Sequence, residues 1–224
     1  MAPHWLPFAA FAVLLTAAVV ALTWASRGVL ESRDADGLTP RSLLVQVSSS
    51  QAAVGLLVLA AAWTARIPVD AFRIGASWRH AAVGAAVGVL LAAGNEAAMR
   101  VLDEAGLGYD EDLRAALTPA DAAGWLVLFG VALPVVAGVE ELLFRGVLVG
   151  AFAAGFGASP WLLAAASSVA FGAAHTAQGA VGVAVTTALG FALAAAYVLT
   201  GSLLAAVVAH YVVNAAEFAL HARD

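Results

Sequence analysis

The stretch WLPFAAFAVLLTAAVVALTWA, residues 5–25, contains no charged side chain. Crossing the hydrocarbon core of a bilayer takes about 20 mostly apolar residues in a helix. The run is longer than the roughly 7–15-residue core of a cleaved signal peptide, and no positive charge precedes it. We therefore predict a retained membrane-spanning helix at this position, with cleavage after residues 24–26 as the alternative.

Further apolar runs follow, separated by charged residues or by Gly and Pro; they cover residues 42–65, 80–100, 121–144, 146–157, 161–175, 180–199 and 202–220. The run 146–157 is too short to cross about 30 Å at about 1.5 Å per residue. It is therefore a continuation of the preceding helix, a half-helix or a short helix among its neighbours. The run 161–175 is also short. The pattern predicts an all-α, polytopic membrane bundle of seven or eight helices, with eight favoured.

The composition agrees with this architecture. Of the 224 residues, 63% are hydrophobic and 11% are charged, whereas soluble domains have about 45–50% apolar and about 25% charged residues. These values exclude a soluble domain, a disordered chain and a basic nucleic-acid-binding protein, so membrane lipids are expected partners and nucleic acid is not. We expect one integral membrane domain, residues 1–224, in which residues 121–220 form the half that carries the candidate catalytic residues.

Two features of the composition bear on chemistry and source. The chain has no cysteine, which excludes a disulfide framework, a thiolate nucleophile and a cysteine-based metal site. All 10 basic residues are arginine, in a chain rich in Ala, Gly and Val, as is typical of a GC-rich genome. We therefore expect a protein of a prokaryotic plasma membrane. The loop arginines do not decide its orientation in the membrane.

Glu140, Glu141 and Arg145 are ionisable side chains at the junction of the apolar runs 121–144 and 146–157. They need an explanation, because burial of each in hydrocarbon costs several kcal/mol. With about 100° between successive residues of a helix, Arg145 lies about 40° from Glu141 but about 140° from Glu140. Glu141 and Arg145 are thus expected to pair. Glu140 points elsewhere, and an unpaired buried carboxylate suits a general base. The alternative is that both acids lie solvated at a helix end.

His210 and Asn214 are four residues apart and therefore share one face of the last predicted helix. An imidazole and a carboxamide on one face can donate two hydrogen bonds to one oxygen, as an oxyanion stabiliser must. The alternative is interhelical hydrogen bonding, worth about 0.6 kcal/mol per bond. His175 follows Phe171 at the same spacing, and a lone intramembrane histidine is more often a structural hydrogen-bonding group.

The joint occurrence of these residues on three predicted helices favours chemistry, since they can activate a water and hold an oxyanion. Glu140, His175 and His210 would also make a His₂Glu zinc site. There is no His-Glu-x-x-His sequence, so the pattern leaves the cofactor open, either none or a divalent metal such as zinc. A serine nucleophile is disfavoured, because Ser167 and Ser168 lack a Gly-x-Ser-x-Gly setting.

Two further polar pairs lie near the ends of predicted helices. Glu96 and Arg100 repeat the four-residue spacing at the end of the third run, and we interpret them as a structural ion pair at the membrane interface. Glu217 and His221 are expected to be interfacial and are given no functional role.

Three short motifs resemble those of one protein family. Glu-Glu-Leu-Leu-Phe-Arg-Gly, residues 140–146, resembles the Glu-Glu-x-x-x-Arg motif of the CPBP family, which comprises CAAX prenyl endopeptidases and bacteriocin-processing, Abi-type intramembrane proteases. Phe-Gly-Ala-Ala-His, residues 171–175, is similar to its Phe-x-x-x-His motif. His-Tyr-Val-Val-Asn, residues 210–214, is similar to its His-x-x-x-Asn/Asp motif. The three occur in the family's order.

The resemblance implies an eight-helix intramembrane endopeptidase. If the matching residues have the roles of the family's motif residues, Glu140 and His175 would activate the water that attacks the scissile carbonyl. His210 and Asn214 would stabilise the oxyanion. The implied substrate is a membrane-associated protein or peptide. A prenylated CAAX protein, a bacteriocin precursor and an anti-sigma-like membrane protein all stay open.

The same resemblance implies that Glu141 and Arg145 support the helix that carries the first motif. The family has been described both as metalloproteases and as metal-free glutamate proteases, so the cofactor stays open here too. Two other functions remain as alternatives: a non-catalytic immunity or scaffold protein with the family fold, and a small proton-coupled transporter. No inverted repeat supports the transporter.

Overall fold

The computed structural model describes residues 2–31, 39–75, 77–107 and 112–221; for residues 27–31, 112 and 113 it describes the backbone only. Within these ranges the chain is helical and has no strand, which confirms the predicted all-α class. The helices are α1 (Trp5–Glu31), α2 (Pro40–Thr64), α3 (Trp78–Glu104), α4 (Asp112–Leu117), α5 (Ala122–Phe156), α6 (Pro160–Ala173), α7 (Gly179–Thr200) and α8 (Leu203–Leu220). Short 3₁₀ turns lie at Val69–Phe72 and Thr176–Gln178.

Six of these helices, α1, α2, α3, α5, α7 and α8, are long and apolar enough to cross a membrane. Their most apolar stretches are only 11–39% buried within the protein. Large apolar side chains such as Trp63 and Leu90 are 85% and 71% exposed. Soluble proteins rarely expose an apolar surface of this extent to water. The chain is therefore an integral membrane protein.

Two differences from the predicted runs change the number of helices. The runs 121–144 and 146–157 form one continuous helix, α5, of 35 residues. Of the three possibilities predicted for the run 146–157, continuation of the preceding helix is confirmed. Gly146 does not interrupt the helix, because a single glycine lowers helix stability without breaking it. The second difference is α4, six residues long, which forms between the predicted runs 80–100 and 121–144.

Helix α5 is not a regular α-helix throughout. It contains two π-helical segments, Leu128–Ala132 and Leu142–Ala151. Such π-helical segments within α-helices are frequent at functional sites. They point side chains in directions that a regular α-helix would not give them. The second segment begins directly after Glu141, so the first family motif spans the change from α to π geometry. At the N-terminus, Asp121 caps α5 by accepting a 2.7 Å hydrogen bond from the Gly124 amide.

Small residues bring α3 and α8 close together. A methyl group added at Gly84 would lie 2.5 Å from the carbonyl oxygen of Ala205, and one at Gly88 would lie 2.8 Å from that of Ala209. Membrane helices associate through such small residues because they let backbones approach. Helix α8, which carries His210, is thus held firmly against α3.

An aromatic contact brings the end of α6 to the middle of α5. The rings of Phe144 and Phe171 meet edge to face, with their centroids 5.1 Å apart, in a buried cluster that both residues share. Such pairs add about 0.5–1.5 kcal/mol to the burial of apolar area. The contact carries His175, one turn beyond Phe171, towards the polar residues of α5.

Candidate active site

Five polar residues from three parts of the chain meet in the interior and form what we call the core site: Glu140, Glu141, Arg145, His175 and His210. The first three lie on α5, His175 follows the end of α6, and His210 lies in the middle of α8. All five were candidates from the sequence. The structure brings them within contact distance of one another.

Glu141 and Arg145 form the ion pair expected from their spacing. Nη1 of Arg145 lies 2.9 Å from Oε1 of Glu141, and neither side chain has any exposed surface. Arg145 also donates from Nη2 to the carbonyl oxygen of Gly190, at 2.7 Å, and lies 4.4 Å from the ring centroid of Phe171. Its guanidinium therefore joins α5 to α6 and α7. Because removing one partner of a buried pair leaves the other charge uncompensated, this pair is costly to break.

Gly190 has a specific reason to be glycine. A methyl group there would lie 2.9 Å from Cδ1 of Phe171 and 3.3 Å from Nη2 of Arg145. Any side chain would therefore displace either the ring or the guanidinium. The absence of a side chain at residue 190 lets α7 present its carbonyl oxygen directly to Arg145.

His210 is held by the second carboxylate of the motif. Its Nδ1 lies 2.8 Å from Oε1 of Glu141. An ionised carboxylate only accepts hydrogen bonds, so Nδ1 carries the proton. The other ring nitrogen, Nε2, lies 3.8 Å from Oε2 of Glu140. Glu141 thus fixes the orientation of the imidazole and directs Nε2 towards Glu140.

His175 is held in an equivalent way by backbone. Its Nδ1 lies 2.7 Å from the carbonyl oxygen of Phe171, and because a carbonyl only accepts, Nδ1 carries the proton here as well. Nε2 of His175 then lies 3.9 Å from Oε2 of Glu140. The side chain is 23% exposed, so this histidine is the more accessible of the two.

Glu140 is the carboxylate on which both imidazoles converge. Its Oε1 accepts a 2.8 Å hydrogen bond from Nε2 of Gln51. Its Oε2 is buried and, within the described residues, has no hydrogen-bond partner. Both histidines direct Nε2 at this oxygen. A buried carboxylate oxygen without a partner is unusual, and here it faces two nitrogens that can also take part in proton transfer.

Asn214 lies one turn beyond His210 on α8 and is partly exposed. Its side chain has no hydrogen-bond partner among the residues that the structure describes. The carboxamide is therefore available to a ligand, in contrast to the imidazole of His210, which is engaged on one side by Glu141.

The candidate metal ligands do not have the spacing of a zinc site. Tetrahedral zinc with ligands at about 2.0–2.1 Å brings neighbouring ligand atoms to about 3.3 Å from each other. Oε2 of Glu140 lies 3.9 and 3.8 Å from Nε2 of His175 and His210. Throughout the described ranges, no three His, Asp or Glu side chains are arranged to hold a metal ion. The residue types suit zinc, but their arrangement in this structure does not.

Gln51 is the site residue that the sequence analysis missed. It lies on α2, 89 residues before its partner Glu140. A carboxamide within the apolar run 42–65 was a visible signal, because an amide in hydrocarbon needs a hydrogen-bond partner. Nothing in the local sequence indicated which residue that partner is.

A second group of polar residues joins the C-terminal ends of α3 and α8 to α4, and we call it the end cluster: Asn95, Glu96, Arg100, Arg114, Glu217 and His221. Arg100 pairs with Glu96 at 2.8 Å, and 74% of its side chain is exposed. Nε2 of His221 lies 3.4 Å from Oε2 of Glu96. The predicted Glu96–Arg100 pair is present, and the end cluster fastens three helix ends together.

The segment that carries the core site matches the model of one protein family. Residues 122–216 match the family model described as type II CAAX prenyl endopeptidase Rce1-like. No curated protein and no solved structure matches the chain. The matched segment includes Glu140, His175, His210 and Asn214 and excludes Gln51. The match confirms the resemblance to the CPBP family of intramembrane CAAX-type proteases that the three motifs indicated.

Proposed function

We propose that this chain is an active intramembrane endopeptidase that hydrolyses a peptide bond in a membrane-associated protein or peptide. The observation that carries the proposal is the convergence of three groups: Oε2 of Glu140 lies 3.9 Å from Nε2 of His175 and 3.8 Å from Nε2 of His210. The family match supports the reaction class. The membrane is a prokaryotic plasma membrane, and residues 121–220 form the catalytic half of a single domain.

Water activation follows from the hydrogen-bonding capacity of two groups. Oε2 of Glu140 and the unprotonated Nε2 of His175 are both acceptors. A water molecule that donates one O–H to each directs its lone pair away from both, towards a scissile carbonyl carbon. As the C–O bond forms, Glu140 takes the proton and acts as general base. The carbonyl electron pair moves onto oxygen and gives a tetrahedral intermediate.

His210 and Asn214 stabilise the negative charge of that intermediate. Asn214 donates from its free carboxamide, which needs no rearrangement of other side chains. His210 already donates from Nδ1 to Glu141, so donation to the oxyanion from Nε2 requires the imidazolium form with a proton on each nitrogen. The intermediate then collapses, because Glu140 returns its proton to the leaving nitrogen and the C–N bond breaks. One peptide bond and one water become a carboxylic acid and an amine.

The rigid contacts around Glu141 hold the reacting groups in place. Glu141 binds both Arg145 and His210, and Arg145 binds the backbone of Gly190. Preorganised dipoles in a site that largely excludes water stabilise transition-state charge more strongly than they would in solution. We assign Glu141 and Arg145 to support of the site and not to the chemical step.

The test uses purified full-length protein in liposomes, with a farnesylated C-terminal peptide, its unprenylated counterpart and a set of transmembrane peptides. In ¹⁸O-labelled water, hydrolysis by the wild type should place one labelled oxygen in the new carboxyl terminus, as mass spectrometry detects. Glu140→Ala should abolish labelling while the protein still inserts and folds. Glu96→Ala, which removes a carboxylate from the end cluster, is the matched control and should retain activity.

The outcomes separate catalysis from the other functions. Cleavage by Glu140→Ala at the wild-type rate would contradict the role of this carboxylate. Two results together would contradict proteolysis and favour a scaffold or immunity protein. The wild type would cleave none of the peptides, and cells that lack its gene would contain the same membrane-protein fragments as wild-type cells.

A further inference from the structure

We infer that Gln51 is a positioning residue of the protease, which holds the carboxylate of Glu140 in the orientation that water activation requires. The inference rests on the function proposed above. Gln51 lies on α2, outside the segment 122–216 that matches the family. It lies on a helix that carries none of the three family motifs.

Gln51 and Glu140 are in direct contact, and Gln51 is the hydrogen-bond donor. Nε2 of Gln51 lies 2.8 Å from Oε1 of Glu140. A carboxylate can only accept, so it selects the NH₂ end of the amide and turns the amide oxygen away. Hydrogen bonds to a charged group are shorter and about twice as strong as those between neutral groups.

This bond decides which carboxylate oxygen faces the histidines. The terminal torsion of a glutamate side chain has broad wells and does not fix the carboxylate plane by itself. With Oε1 bound to Gln51, Oε2 lies between Nε2 of His175 and Nε2 of His210, at 3.9 and 3.8 Å. Within the described residues, Gln51 donates the one hydrogen bond that Glu140 receives. Without it, the carboxylate is free to rotate.

The packing of α2 brings Gln51 within reach. Gly55, one turn further along the same helix face, lies against Val139, the residue before Glu140. A methyl group at Gly55 would lie 2.9 Å from Cγ2 of Val139, so only glycine allows this approach without displacement. The close contact at Gly55 and the hydrogen bond at Gln51 therefore form one continuous α2–α5 interface beside the core site.

The experiment measures kcat and KM for the wild type, Gln51→Met and Gln51→Asn in liposomes, on whichever of the peptides named above the wild type cleaves. Methionine keeps the length and removes the donor; asparagine keeps the donor and shortens its reach. Gln46→Met is the matched control, because Gln46 lies on the same helix with its side chain exposed. Thermal unfolding of each variant is measured in parallel.

We expect kcat to fall about 10–100-fold in both Gln51 variants, with KM within about twofold, because misplacing a reacting group by about 1 Å costs up to about 100-fold. Gln46→Met should match the wild type. Methionine suits an apolar span, so Gln51→Met should fold; if it does not accumulate, Gln51→Asn carries the same test.

An unchanged kcat in the Gln51 variants would overturn the inference, and so would a rise in KM without a loss of kcat. A loss of activity that merely follows a lowered unfolding temperature, and that returns when the temperature is reduced, would also overturn it by making Gln51 a structural residue. These results differ from failure of the proposed function, in which the wild type itself cleaves nothing.

Discussion

The pairs Glu141–Arg145 and Glu96–Arg100 have the same spacing and nearly the same length, 2.9 and 2.8 Å. Their surroundings differ. The first pair has no exposed surface, whereas 74% of Arg100 and 24% of Glu96 are exposed in the second. A local sequence pattern thus produces a fully buried ion pair in the core site and a solvated one in the end cluster.

Partners from other helices determine what such a pair does. Glu141 also binds His210 from α8, and Arg145 also binds Gly190 from α7. The four-residue spacing predicts that a glutamate and an arginine meet. It does not predict whether breaking the contact costs several kcal/mol or almost nothing, because that depends on desolvation and on the other groups bound.

The largest expected effect is on catalysis and compares two histidines of equal exposure, His175 and His221, each 23% exposed. His175→Ala should lower kcat about 100–10,000-fold, because it removes one of the two acceptors that orient the attacking water. His221→Ala, in the end cluster, should leave kcat within about twofold. Peptide cleavage in liposomes measures both. Equal losses in the two variants would show that the end cluster also takes part in catalysis.

The next effect is on stability and compares the two arginines. Arg145→Ala should lower the free energy of unfolding by about 3–5 kcal/mol, because Glu141 is left as an uncompensated buried charge. Arg100→Ala should cost about 0.3–0.5 kcal/mol, as for other solvated pairs at this helical spacing. Denaturant titration in detergent micelles measures the difference. Similar costs for the two variants would contradict the contrast between them.

A smaller effect is expected where the buried pair meets α7. Gly190→Ala should lower stability by about 1–3 kcal/mol, because the added methyl group crowds Phe171 and Arg145. Gly94→Ala on α3 is the matched control, since a methyl group there meets nothing within 4 Å. In that variant stability should rise or stay unchanged. The same denaturant titration applies, and a neutral Gly190→Ala would show that Arg145 does not need the Gly190 contact.

The smallest effect concerns metal. The spacing of Glu140, His175 and His210 is wider than zinc requires, so chelation should change the rate of peptide cleavage by less than about twofold. The assay compares protein incubated with a strong zinc chelator and untreated protein, with metal content measured in both. A loss of activity that zinc restores would show that the three side chains close around a metal ion.

Much of the fold could be predicted because a membrane-spanning helix is visible in the local sequence as a long apolar run. Runs of apolar residues predicted the spans, and the four-residue spacing predicted that Arg145 pairs with Glu141. The continuation of α5 through residue 145 was only one of three options, because local composition does not decide whether a helix ends at a charged residue or continues. The π-helical segment after Glu141 had no sequence signal that we could use.

The parts of the site that escaped prediction depend on contacts between distant residues. The bond from Gln51 to Glu140 spans 89 residues, and the bond from His210 to Glu141 spans 69. Each depends on how closely two helices approach, which the polar residues alone do not reveal. For α2 and α5 the approach is close at Gly55, where a methyl group would lie 2.9 Å from Cγ2 of Val139. Gly190 was likewise invisible as a site residue, because it contributes only its backbone carbonyl.

We propose that the adjacent carboxylates on α5 have separate roles, Glu140 in chemistry and Glu141 in support. The most direct test measures kcat and the free energy of unfolding for Glu140→Gln and Glu141→Gln in the same preparation. We predict that Glu140→Gln loses activity about 100–10,000-fold with stability near that of the wild type, whereas Glu141→Gln is markedly less stable. A well-folded, stable and inactive Glu141→Gln protein beside an active Glu140→Gln protein would contradict the assignment.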